Sequence, residues 1–136
     1  MEGNDKEAIL GPYQFNGKEN RMLEQGEKLL IAYRRLFEKD TPRFFVGEVQ
    51  IYEAGIAKVK GYTYVKDMFS GNFEKKPELR IKILALASGT FLVYQLPTTA
   101  RLDSLRFRLD PHGGMVLTDD EGFSMDMSES VSKAHS

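Results

Sequence analysis

Lys58, Lys60, Tyr62, Tyr64 and Lys66 recur at every second position of one stretch, and a β-strand would put all five on one face. Ammonium groups interleaved with phenol rings suit a polyanion, because lysines meet phosphates while ring faces stack on bases, as in sheets that hold single-stranded nucleic acid. The plainer reading, which the alternation favours, is the water-facing side of a sheet. Arg34, Arg35, Arg43, Arg80 and Lys82 extend this basic surface if their strands lie beside it, whereas Arg106 and Arg108 read as the outer face of a separate strand.

A second group of residues is apolar. Leu84, Leu86, Phe91 and Val93 flank Ser88-Gly89 and alternate with Ile81, Ile83 and Ala85, so a hairpin turning at Ser88-Gly89 would carry two apolar faces. One face must then be covered. The candidates are the chain itself, through Leu10, Tyr13 and Phe15, or a second copy, a protein partner or a small ligand.

Catalytic chemistry is poorly provided for. The histidines are His112, inside the turn-forming run Asp110-Pro111-His112-Gly113-Gly114, and His135, near the C-terminus. Asp110 beside His112 is explained by the turn alone. The absence of cysteine removes disulfides, thiolate zinc sites and thiol nucleophiles together. Asp119-Asp120-Glu121 lacks the alternating oxygen ligands of a calcium loop and reads as a hairpin tip. No catalytic residue, metal or cofactor is assigned.

Composition narrows the partner class. With 19 basic and 20 acidic residues among 136, the formal net charge is -1, so no global field draws the chain to nucleic acid or an anionic membrane. The length fits one domain. Met1 to Asp5 is polar and acidic, unlike a signal peptide, and no apolar run is long enough for a bilayer. Together with the lack of cysteine, this gives the expectation of a cytoplasmic protein with no membrane partner.

The elements that must position these groups are short alternating runs broken by Gly, Pro and Asp, the pattern of serial strands. The expected fold is all-β: a small antiparallel barrel or sandwich of about seven to eight strands with mostly meander connections. Residues 29–38 fit either a strand, which is preferred, or one N-terminal helix. The domain is expected over 26–127, with a loose arm at 1–25 and a frayed tail at 128–136.

Two glycine-containing tips set the expected register. A three-residue Glu53-Ala54-Gly55 loop would place Tyr52 opposite Ile56, Ile51 opposite Ala57, Val49 opposite Val59 and Gly47 opposite Gly61. A two-residue Ala54-Gly55 turn would set Ile51 beside Lys58, mixing core with charge, and is disfavoured for that reason. Asp120-Glu121-Gly122 likewise predicts Leu117 opposite Met125 and Met115 opposite Met127. The expected function is a non-enzymatic binding or protein-interaction module that self-associates. The alternatives are a polyanion binder using the Lys/Tyr face and a small-ligand-binding barrel.

Overall fold

The computed structural model describes residues 23–34 and 42–127. Most of the expected arm, the whole expected tail and residues 35–38 lie outside them. Among the described residues there are nine strands: β1 Lys28–Tyr33, β2 Arg43–Glu53, β3 Ile56–Lys66, β4 Phe73–Lys75, β5 Arg80–Ala85, β6 Phe91–Leu96, β7 Arg106–Leu109, β8 Met115–Thr118 and β9 Ser124–Asp126. The count exceeds the expected seven to eight because the run from Phe73 to Ala85 is broken near Pro77, which cannot donate to a ladder. Lys28–Tyr33 is a strand paired with β2, so the helical alternative fails there.

All pairings are antiparallel and fall into two sheets, one of six strands and one of three. In the larger sheet β3 pairs β2 on one side, and β4 and then β5 on the other; β1 pairs β2 and β6. The smaller sheet runs β7-β8-β9. No described helix is long and apolar enough to cross a membrane.

The β2–β3 hairpin corrects the expected turn while keeping most of its register. Ala54 and Gly55 both have positive φ, 51° and 82°, the signature of a two-residue hairpin turn that matches strand twist. Glu53 therefore faces Ile56, Tyr52 faces Ala57 and Ile51 faces Lys58, the arrangement disfavoured above. A bulge between Val49 and Ile51 leaves Gln50 unmatched and restores Val49 opposite Val59, Glu48 opposite Lys60 and Gly47 opposite Gly61. The bulge makes both turn chemistry and core burial possible.

At the glycine pair the backbones nearly touch. A Cβ on Gly61 would sit 2.5 Å from Gly47 Cα and closer still to the Val46 carbonyl oxygen, and one on Gly47 would lie 2.6 Å from the Lys60 carbonyl oxygen. Only glycine fits such an approach.

The hairpin expected at Ser88-Gly89 does not form. β5 pairs with β3 and β6 pairs with β1, and a 3₁₀ turn over Leu86–Ser88, closed by Gly89 at φ 87°, carries the chain between opposite edges of the sheet. The sheet curls but does not close, since β5 and β6 share no ladder. Curling lets Leu84, Leu86, Phe91 and Val93 join Leu29, Ile31, Phe45, Val49, Ala57 and Val59 in one apolar cluster on the inner face. A free-standing hairpin would leave part of that surface wet, so burial decides the topology.

A second core lies on the outer face. Leu30, Val46, Tyr64, Phe73 and Leu96 of the large sheet pack with Leu105, Phe107 and Leu117. Phe107 stacks on Phe44 at 4.9 Å between ring centroids and meets Tyr64 edge-on at 5.2 Å. The small sheet keeps its expected register, with Leu117 opposite Met125. At its tip the Asp119 carboxylate accepts backbone N–H bonds from Glu121 at 2.8 Å, Phe123 at 3.0 Å and Arg101 at 3.1 Å. These bonds, led by that from Phe123, hold its carboxyl below the ordinary carboxylate value.

Candidate functional site

The five residues of the Lys/Tyr face do point to one side of β3, but they do not share one environment. Tyr64 is buried, 1% exposed, and its hydroxyl donates to the Leu105 carbonyl at 2.8 Å. Burial, and then the neighbouring Tyr62, push the phenol far above its ordinary pKa, so it stays neutral. Tyr62 packs against the same core and carries the Lys75 ammonium 4.0 Å from its ring centroid. Neither ring offers a free face for a base, and the expected stacking platform is a site where the small sheet docks. Lys58, Lys60 and Lys66 remain at the surface, Lys58 half-buried and the other two exposed.

The apolar face expected at Leu84, Leu86, Phe91 and Val93 is likewise interior. Leu84 is 7% exposed, and the other three pack against the inner cluster. The opposite side of the same strand is the bare one: Ile81 and Ile83 are 61% and 68% exposed. The sequence identified both faces of this strand and assigned the covered one to contact.

The exposed isoleucines are assembled by three strands. Lys58 on β3 sits between Ile51 on β2 and Ile83 on β5; Lys60 sits between Glu48 and Ile81; Ile56 sits between Glu53 and Ala85. Because side chains alternate along each strand, these rows lie on one outer face. Ile51 reaches that face because of the bulge at Gln50, which re-aims every residue between it and the turn. Without it Ile51 would point inward beside Ala57, as the sequence reading had it. Ile51 is 52% and Ile56 47% exposed.

Ile51, Glu53, Ala54, Ile56, Lys58 and Ile83 line a shallow hollow of about 390 Å³. The arrangement can exclude water from a partner's apolar surface while Glu48, Glu53, Lys58 and Lys60 pair with opposite charges at its rim. Positive φ at Ala54-Gly55 is the sequence signal that would have found it, since Gly at the second position of a two-residue turn fixes the register that exposes Ile51.

Nothing in the described residues assembles a reaction centre. No group of three or more His, Asp or Glu side chains is placed to hold a metal. The hairpin-tip acids are otherwise engaged: Asp120 pairs with Arg106 at 2.7 Å and Arg108 at 2.9 Å, and Glu121 with Arg101 at 3.4 Å. His112 lies at the rim of an open cleft of about 580 Å³ with Phe44, Tyr94 and Met115. Its backbone N–H is taken by Asp110, as a turn requires. The chain matches no family model, no curated protein and no solved structure.

Proposed function

We propose that the protein is a self-associating interaction module that works through the outer isoleucine face of β2, β3 and β5. The observation that carries this reading is the row Ile51–Lys58–Ile83, in which two isoleucines more than half exposed flank a half-buried lysine. Large aliphatic side chains grouped on one face of a small domain are the usual mark of a contact surface. A second copy suits this face because it carries both signs of charge, Lys58 and Lys60 with Glu48 and Glu53. A two-fold arrangement lets lysines of one copy meet glutamates of the other around a dry isoleucine centre. A net charge of -1 adds no long-range repulsion between copies.

In this reading the scaffold is a two-layer sandwich whose larger layer is curled, and its place of work is the cytoplasm, in keeping with a chain free of cysteine. Two other readings lose support. Polyanion binding on the Lys/Tyr face lacks free rings, and a ligand-holding barrel lacks an interior, because Val49, Val59, Ile31 and Phe45 fill the curl at 0% exposure.

Sedimentation equilibrium over a wide concentration range tests the proposal. The full chain should form a dimer, and Ile83→Glu should weaken it at least tenfold without lowering the melting temperature. A strictly monomeric wild type, or a dimer indifferent to Ile83→Glu, overturns it.

A further inference from the structure

At the other end of the inner face the curled sheet changes character from apolar to cationic. Arg43 opposes Val65 across β2 and β3, while Lys82 opposes Val59 and Arg80 opposes Gly61 across β3 and β5. Lys76 enters from the break between β4 and β5, where its backbone N–H donates to the Thr63 carbonyl at 2.8 Å. The floor beneath these four cations is β3 with Gly61, Thr63 and Val65. Those small side chains leave a hollow of about 390 Å³ in which Glu78 is the single lining carboxylate.

The cations are held in place by something other than acids. Lys82 is half-buried, with its ammonium 4.7 Å from the Phe45 ring centroid, 5.2 Å from that of Tyr33, and donating to the Tyr33 hydroxyl at 2.9 Å. The Arg43 guanidinium sits 5.6 Å from the same Tyr33 ring centroid. Among the described residues no carboxylate is within ion-pair distance of Arg43, Lys76, Arg80 or Lys82, and the ion pairs that do form lie on the small sheet. Four cations against Glu78 leave a local excess of three positive charges in a chain whose overall balance is -1. Aromatic rings orient cations without neutralising them. Lys82 therefore presents donors to the hollow that Tyr33 does not use, beside two exposed forks and a second ammonium.

We propose that this hollow is an oxyanion site that takes a phosphate monoester or inorganic phosphate. A compact dianion matches convergent cations, and the volume falls within the range of small-ligand pockets rather than that of an extended groove. The site is independent of the isoleucine face: Lys82 and Arg80 point to the inner side of β5, whereas Ile81 and Ile83 point to the outer side. The two ideas can therefore fail separately.

Isothermal titration calorimetry on the full chain at low ionic strength tests the site with inorganic phosphate and with phenyl phosphate. Sodium chloride at matched ionic strength is the control. Saturable binding with Kd below about 1 mM is expected for at least one phosphate species. The better ligand of the two identifies the source as the free ion or an ester. Lys82→Met, which keeps the stem and removes the charge, should weaken binding at least tenfold, as should Arg43→Gln. Wild type should also gain melting temperature with added phosphate while Lys82→Met does not. No saturable heat, an equal response to chloride, or binding unchanged in both variants overturns the proposal. So does a single-stranded oligonucleotide that binds more tightly than either phosphate, because the site would then serve a polymer.

Discussion

The two halves of the outer face of β3 follow one alternation and have opposite fates. Tyr62 and Tyr64 lie under the small sheet, whereas Ile56, Lys58 and Lys60 lie bare a few residues away. Gly61 marks the seam between them, where β2 and β3 come close enough to exclude any side chain. Alternation tells which residues share a side; it does not tell what lies on that side. The chemistry of this strand is thus inverted relative to its composition: the phenols, which look suited to contact, are structural, and the isoleucines, which look like core, are exposed.

The largest effect should come from the seam. Gly61→Ala has no room without separating β2 from β3, and we expect a loss of about 3 kcal/mol or more, read by urea unfolding. A loss under about 1 kcal/mol would mean that the two strands do not approach as described.

Next comes the contrast between the halves. Tyr64→Ala should cost about 3–5 kcal/mol through the cavity left against Phe107. Tyr64→Phe, which strands the Leu105 carbonyl, should cost about 1–2 kcal/mol. Lys58→Ala, on the bare half, should change monomer stability by no more than about 0.5 kcal/mol. Similar losses at Tyr64 and Lys58 would erase the distinction.

The small sheet offers a pH-dependent test of what anchors the covering layer. The Asp119 carboxyl is depressed in the folded state, so its stabilisation is fully present above the ordinary carboxylate value of 3.8 and is lost as pH falls through the lower folded value. Asp119→Asn should therefore be less stable than wild type at neutral pH, with the gap closing in acid. A gap that persists unchanged below pH of about 3 would rule out the charge as the cause.

The smallest expected effect concerns the bulge. Deleting Gln50 should leave Val49 opposite Val59 and Ile51 opposite Lys58, because the surplus residue alone is removed. Stability should move by about 1 kcal/mol or less. Collapse of the fold would favour the three-residue loop over the observed turn.

Much of this was legible in the sequence, and the failures have identifiable causes. The all-β class, the β1–β2 pairing, the Gly47–Gly61 juxtaposition and the β7–β8–β9 register follow from local alternation and turn residues, which act between neighbours in the chain. The β5–β6 pairing was misread because Ser88-Gly89 suits a hairpin locally, while the choice between edges is made by burial against Leu29 and Val59, far away in sequence. Ile51 was placed inward because a single unmatched residue, Gln50, reverses the face of everything between it and the turn. Arg43, Arg80 and Lys82 were noticed as basic residues, but their meeting on the inner face required the strand order.

The chain contains no native cysteine, so a single introduced thiol reports directly on whether the bare half of the outer face becomes occupied. Maleimide labelling of Ile83→Cys, followed as protein concentration rises, should slow markedly, while Leu92→Cys, equally on the surface at 47% exposure but outside the isoleucine face, keeps its rate. Equal labelling rates at Ile83→Cys across all concentrations, or equal slowing at both positions, would contradict a contact surface there.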